Sequence, residues 1–298
     1  MSHPSAIKKL ILEHSRPMEP QPTSVDCILQ SLTGIRVVLF DIYGTLLISG
    51  CGDIGTGESD DDHFVNALNQ AGLQVSANND LSGPKMIHDE ILADHQESRL
   101  GGIDYPEVDM IEIWKRVIDQ LVQSGAVQRL REGSIDYERV AAFYELQNNP
   151  AWPMPDAVQS LQRLSTAGKT LGIISNAQLF TTQLWPTLLD EAHSTFQMDP
   201  ALRFYSYQTK HAKPGQKMFE LAANELAGRG VDSSEVIYLG NDMLNDMMPA
   251  QQVGFKTALF AGDARSLRLR KDDPRVASVS PDLVVNRLSD FCDVVIDG

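Results

Sequence analysis

The run Val37-Val38-Leu39-Phe40, closed by Asp41 and followed three residues later by Gly44, limits the possible folds of this chain more than any other stretch. Four consecutive apolar residues, β-branched and aromatic among them and ended by a turn signal, read as a strand buried on both faces. Such strands belong to parallel sheets, and open α/β sheets hold their ligand crevice outside the carboxyl ends of the strands. Asp41 falls at that end, beside Gly44 and the hydroxyl of Thr45. A carboxylate there has three possible uses: nucleophile, metal ligand, or cap of the following turn.

From residue 151 onward the pattern alternates between strand and helix. Strands are expected at 170–174, near 204–207, and at 235–239, 255–260 and 282–285. Helices are expected at 156–167, around 180–189, from Pro214 to about Ala227, and just after Asp246. Alternation of this kind implies a doubly wound parallel sheet with right-handed crossovers, a Rossmann-like core. Between the first strand and this region the texture changes. Residues 60–148 carry helical periodicity around Phe64, Met86, Trp114 and Tyr137 and no convincing buried strand. A chain of 298 residues has room for a core and an inserted domain. The expected division is an N-terminal arm at 1–33, an α/β core at 34–57 and 149–298, and a helical cap at 58–148.

Two connectors join these parts. Residues 48–57 hold four glycines and Asp53 but lack the Gly-Lys-Ser/Thr ending of a phosphate-binding P-loop, so they read as a hinge. Residues 149–156 hold three prolines and read as a stiff return linker. The arm, with a short amphipathic stretch at 6–13 and three prolines after it, is expected to pack on the core or on a partner, or else to be disordered.

Composition narrows the partners. A formal charge of −15 opposes non-specific binding to nucleic acid or to an anionic membrane, though not binding of an anionic small molecule. No stretch approaches the roughly 18 apolar residues of a membrane span. The first 15 residues lack the apolar core of a signal peptide. Cys27, Cys51 and Cys292 form no paired framework, so a reducing, cytoplasmic setting is expected. His63, His88 and His95 lie on expected helices and read as solvated or satisfied rather than as ligands. Oligomeric state stays open, as do the roles of the Trp152-Pro153 and Trp185-Pro186 pairs.

Polar residues collect where the expected strands end. Asp41, Ser175 and Asp242 each follow the last apolar residue of a strand within three positions, and parallel strands bring those ends to one edge. Asp246, four residues after Asp242, adds a third carboxylate. Three carboxylates around one point call for a cation, and hard oxygen ligands suit Mg²⁺. Lys213, in His211-Ala212-Lys213-Pro214, can supply a balancing charge.

The order Asp-x-Tyr-Gly-Thr-Leu, Ile-Ile-Ser-Asn, Lys-Pro, then Leu-Gly-Asn-Asp-x-x-x-Asp closely resembles the four motifs of the haloacid dehalogenase superfamily of hydrolases. The resemblance covers about 35–55 and 151–290, and the helical insert falls where some members carry a cap. It implies Asp41 as nucleophile, Ser175 as donor to the transferred group and Lys213 as stabiliser of Asp41 and the developing charge. It further implies Mg²⁺ held by Asp41, Asp242, Asp246 and the backbone carbonyl of Tyr43. Tyr43, Thr45 and Asn176 are the remaining candidates for substrate contact.

One position departs from the phosphatases of that superfamily. They usually have a second Asp, the general acid and base, two residues after the nucleophile, and here Tyr43 stands in its place. A positioned acid/base contributes about 10²–10⁴-fold, so esters with poor leaving groups should react slowly. Tyr at this position resembles the 2-haloacid dehalogenases, which use no metal and release halide without a proton. Their fourth motif has a serine where Asp242 stands, however, and Phe219 replaces a common tyrosine. Three unneutralised carboxylates would also repel a haloacid, at about 4 kcal/mol per contact at ~4 Å with an effective dielectric of ~20. The sequence therefore favours a Mg²⁺-dependent phosphohydrolase on a small, anionic, phosphorylated substrate. A haloacid dehalogenase is the alternative, and a catalytically weak binding module is a third reading. Substrate choice would lie with the insert, where Trp114, Tyr105 and Arg99 are candidates.

Overall fold

The computed structural model describes residues 5–51, 60–76, 82–130, 133–191 and 194–298. The glycine-rich connector with Asp53 lies mostly outside them. Among the described residues the chain runs α1 (Ala6–His14), β1 (Val37–Phe40), β2 (Leu47–Ser49), α2 (Asp61–Gln70), β3 (Leu73–Val75), α3 (Gly83–Leu100), α4 (Met110–Gln123), β4 (Val127–Arg129) and α5 (Tyr137–Asn148). It continues through β5 (Ala151–Pro153), α6 (Ala157–Thr166), β6 (Thr170–Ser175), α7 (Thr181–Leu188), β7 (Met198–Tyr205), the single turn α8 (Ser206–Thr209) and α9 (Lys217–Gly228). Then come β8 (Val236–Gly240), a π-helical turn at Met243–Met247, α10 (Met248–Gln252), β9 (Lys256–Phe260), β10 (Leu283–Val285) and α11 (Leu288–Asp297).

Six strands form one parallel sheet in the order β10-β9-β8-β1-β6-β7. All four residues of β1 are buried, as a central parallel strand requires. Val38 and Phe40 face the core shared with α6, α11 and the insert, while Val37 and Leu39 face the one shared with α9 and α10. Helices therefore cover both faces, and the carboxyl ends of β1, β6 and β8 meet at one edge.

The four helices α2–α5 lie between β2 and β5 and share an aromatic centre, with Trp114 stacked on Phe64 and edge-on to Tyr144 at 5.2 Å each. Two short ladders escaped the sequence reading. β3 pairs antiparallel with β4 inside the insert, and β2 pairs antiparallel with β5, so the proline-bearing linker is one strand of a two-stranded ribbon. Each is three residues long, too short for a period-2 signal to stand out. The start of α9 also differs: Pro214 is followed by a turn, and the helix begins at Lys217.

The arm packs on the core. Ile28 exchanges two backbone hydrogen bonds with Val284, covering the free edge of β10, and α1 buries Ile7, Leu10 and Ile11 against α5 and α7. Trp185 is wholly buried, its indole donating to the Tyr205 hydroxyl at 3.0 Å. No helix among the described residues is long and apolar enough to cross a membrane.

Candidate active site

Asp41 stands one residue beyond β1, its backbone N–H still bonded to Leu239 on β8 at 2.9 Å. Its carboxylate accepts a 2.8 Å hydrogen bond from the Lys213 ammonium, which also donates to Asp246 at 2.6 Å. Both carboxylates and the lysine are buried. The chain can turn directly after Asp41 because Gly44 has φ +77°. A side chain there would also strike Ser266 and Asn241.

Asp246 is the most fully satisfied group of the site. One oxygen accepts from Lys213 and lies 3.0 Å from the Tyr238 hydroxyl, and the other accepts from the backbone N–H groups of Asn241 and Asp242. The π-helical turn brings it back beneath the end of β8, with Met247 N–H bonded to Asp242 carbonyl. Gly240 leaves the space, since a Cβ there would lie 2.5 Å from the Asp246 carboxyl carbon. Burial alone would lower the Lys213 pKa, but the adjacent charges of Asp246 and Asp41 outweigh it and hold the ammonium above the usual lysine range. Burial, reinforced by the like charges of Asp41 and Asp242, pushes Asp246 upward against the pull of Lys213.

Asp242 lines the same pocket as Asp41 and Asp246, as the four-residue spacing leads one to expect, but its carboxylate has different partners. One of its oxygens caps the π-helical turn, accepting from Leu244 and Asn245 N–H at 2.8 and 3.2 Å. Arg270 grips the carboxylate from the other side, Nη2 donating at 2.6 Å and Nε reaching both oxygens at 3.2 and 3.3 Å. The segment after β9 delivers this guanidinium. Arg268 N–H bonds to Asn241 carbonyl and Met243 N–H to Arg268 carbonyl, and Arg268 itself lines the pocket over Asp41. These two arginines were missed by sequence reasoning. The only signal was basic clustering at 265–271 in an acidic chain.

The oxygen donors suit Mg²⁺ by type but not by arrangement. Asp246 has both oxygens engaged and Asp242 is chelated by Arg270, and among the described residues no three His, Cys, Asp or Glu side chains are placed to hold a metal ion. Lys213, Arg268 and Arg270 already match the three carboxylates in charge.

The other sequence candidates divide between the pocket and its supports. Asn176 lines the pocket and fixes Lys213, accepting from Lys213 N–H at 2.8 Å. Asn241 and Asn245 line it as well. Ser175 is buried with its hydroxyl donating to Asn176 carbonyl, and the Thr45 hydroxyl donates to Asn241, so neither side chain lines the pocket. Tyr43 is a lining residue, but its hydroxyl shares a 3.0 Å hydrogen bond with Thr181, away from Asp41.

Asn176 also borders a second cavity of about 320 Å³ between the insert and the core. Trp114, Tyr144 and Phe180 supply aromatic wall, and Glu107, Glu145, His88 and His95 supply polar groups. These two histidines therefore face a cavity, and neither belongs to a metal-holding group among the described residues. Arg99 and Tyr105 are exposed and do not line it. Gln178 clamps the insert above this cavity, donating to Val108 carbonyl and accepting from Met110 N–H at 3.1 and 3.0 Å.

Comparison with known proteins agrees with this core. A 142-residue stretch is 28% identical to a ribulose-1,5-bisphosphate 5-phosphatase of Halopiger xanaduensis, covering 48% of this chain and 56% of that one, about half of each. Among solved structures, a 2-haloacid dehalogenase of Pseudomonas syringae superposes with a TM-score of 0.53 at 18% identity, covering 88% of this chain and 99% of that one. An L-2-haloacid dehalogenase superposes at 0.50, also at 18% identity, covering 89% and 100%. At that identity the likeness establishes the fold. The sequence profile of haloacid dehalogenase-like hydrolases matches residues 35–254, nearly three quarters of the chain, and the protein belongs to that family.

Proposed function

We propose that the protein is a phosphohydrolase of small phosphomonoesters that uses Asp41 as nucleophile, with residues 58–148 as its cap. The observation that carries this reading is the lining of the pocket over Asp41. Lys213 and Arg268 line one small space with Asn176, Asn241 and Asn245, beside Asp41, Asp242 and Asp246. The ammonium is bonded to Asp41, Asp246 and Tyr238, and the Arg268 Nη1 to the Arg265 and Leu267 carbonyls, so it is positive charge held beside Asp41 that suits a phosphoryl group. The partial match to a phosphatase supports the same choice.

In this reading an Asp41 oxygen attacks phosphorus and the ester P–O bond breaks, its electron pair leaving with the alcohol oxygen. Water then attacks phosphorus, the aspartyl P–O bond breaks, and carboxylate and inorganic phosphate are regenerated. Lys213 pairs with the Asp41 carboxylate and holds it in place, and Asp246 holds Lys213. Among the described residues no side chain of the Asp41 pocket is assigned as acid, because the Tyr43 hydroxyl is bonded to Thr181. The leaving oxygen therefore takes its proton from solvent. No step of this reading passes through Mg²⁺.

The dehalogenase alternative is favoured by one observation: the site is charge-balanced without a metal, which removes most of the repulsion expected against a haloacid. Turnover of 4-nitrophenyl phosphate beside chloride release from 2-chloropropionate separates the two. Phosphate release by the wild type, lost in Asp41→Asn, and a phosphoenzyme trapped by acid quench are expected. Chloride release without phosphate release would overturn the phosphatase reading.

A further inference from the structure

The cavity beyond Asn176 bears on which phosphomonoester would be used, an inference that rests on the phosphohydrolase reading. Three observations converge. First, among the described residues the pocket over Asp41 has no assigned proton donor, which favours esters that leave as a weakly basic oxyanion. Second, the adjoining cavity has aromatic walls, Trp114, Tyr144 and Phe180, with Ile87, Val108 and Met110 between them. Third, no lysine or arginine stands among the described residues that line it, whereas Glu107 and Glu145 do. A second phosphate lodged there would meet two carboxylates with no lysine or arginine to offset them, only the His88 and His95 imidazoles, an electrostatic penalty in a partly desolvated space.

Trp114 adds a directional element. It is wholly buried, it borders the cavity, and its indole N–H has no hydrogen-bond partner. A buried donor left unsatisfied carries a desolvation penalty that a ligand acceptor would relieve. Glu107 is held by Gln178 and Ser206, at 3.2 and 2.7 Å, so the charge that excludes anions is fixed in position.

We infer that the cavity between insert and core takes the leaving group, and that the substrate class is aryl or enol phosphomonoesters whose body carries a hydrogen-bond acceptor and no second anionic group. An aryl or enol oxygen departs with the P–O bonding electrons and needs no enzymic proton, which matches the pocket over Asp41. An aromatic or enolic body suits the walls. A cavity of about 320 Å³ lies at the small end of small-molecule sites, room for a ring system rather than a nucleotide.

The test compares kcat/KM of the purified full chain for phenyl, 1-naphthyl and 4-acetylphenyl phosphate with that for glycerol 3-phosphate and fructose 1,6-bisphosphate. The aryl esters should exceed the alkyl ones by about 10²-fold or more, the size of the missing acid contribution. Equal or better turnover of the bisphosphate or of glycerol phosphate overturns the inference while leaving the phosphohydrolase reading standing. Absence of turnover of every phosphate defeats that reading instead. Binding of 1-naphthylphosphonate against a 1,6-bisphosphonate, followed by calorimetry, then decides the cavity chemistry on its own, with the aryl ligand carrying a single phosphonate expected to bind and the bisphosphonate not. Trp114→Phe keeps the ring and removes the donor. It should raise KM severalfold for the 4-acetylphenyl ester and leave the ratio of kcat values for the acetylated and plain phenyl esters near that of the wild type. An equal KM change for both esters would show a purely packing role and overturn the assignment of the indole N–H.

Discussion

Lys213 is the residue on which the site's charge balance turns. Buried between Asp41 and Asp246, it leaves two uncompensated carboxylates in the interior when removed. Losing one member of a buried ion set costs about 3–5 kcal/mol. Lys213→Met should therefore unfold at markedly lower urea than the wild type at pH 7, and the deficit should shrink near pH 4, where the carboxylates take up protons. Its raised pKa sets a second expectation. A basic group raised in the folded state contributes fully below its unfolded value of 10.5 and loses that contribution only as pH climbs through the higher folded value. The pH profile of kcat/KM should show no alkaline limb from Lys213 below pH 10.5, and a limb at pH 8–9 that moves in Lys213→Arg would contradict the assignment. Much of this residue-scale picture was readable beforehand. Asp41, Lys213, Asp242 and Asp246 end strands or begin turns in a recognisable order. The partner each one chooses was not readable, because side-chain pairing across 28 to 172 positions leaves no local trace.

At the scale of elements, the end of β8 and the segment after β9 decide the shape of the site. Gly240 exists so that the Asp246 carboxylate can come up under the strand end. Gly240→Ala places a methyl against it, and because the neighbour is a fixed, multiply bonded group, a cost of about 1–3 kcal/mol is expected with a fall in kcat, measured by urea unfolding and phosphate release. The segment carrying Arg268 and Arg270 is tied at Arg268 by backbone bonds to Asn241 and Met243, and Arg270, two residues on, pairs with Asp242. Arg270 therefore neutralises the carboxylate that a divalent ion would otherwise draw on. Mn²⁺ binding followed by electron paramagnetic resonance should be about three- to tenfold tighter in Arg270→Gln than in the wild type, and lost again when Asp242→Asn is added. Equal affinity in wild type and Arg270→Gln would show that the pair does not oppose metal. Five strands of the sheet were legible from their apolar runs, and the helices of the insert from their periodicity. In contrast, β7 runs over Met198–Tyr205 and not 204–207, because Asp199, Pro200 and Arg203 break its apolar run and Ser206 begins a helical turn. The three-residue ladders β2–β5 and β3–β4 were not, since so few residues carry no period and their pairing depends on the helices that bring them together.

At the scale of the whole molecule, the N-terminal arm joins what the sequence divides. Helix α1 buries Ile7, Leu10 and Ile11 against α7 of the core and α5 of the insert together. His14 meets Phe143 of α5 edge-on at 5.0 Å, and the Ser5 hydroxyl donates to Gln183 of α7, which in turn donates to Glu138 of α5. Gln178 ties the insert to the core from the cavity side through Val108 and Met110. Residues 105–107 of the insert are also bonded to residues 210–212 of the core, and Glu107 to Ser206, so moving the insert away from the core must strain these attachments. Leu10 is 1% exposed, and Leu10→Ala removes buried contacts at the α1 seam at a cost of about 2–5 kcal/mol. Because that seam links two bodies, the loss should be local before it is global. Amide exchange in α5 and α7 should accelerate under conditions where β1 and β8 stay protected, and trypsin should cut the insert faster than in the wild type. If β1 and β8 lose protection together with α5, the arm serves overall stability alone and does not govern how the insert sits over the site.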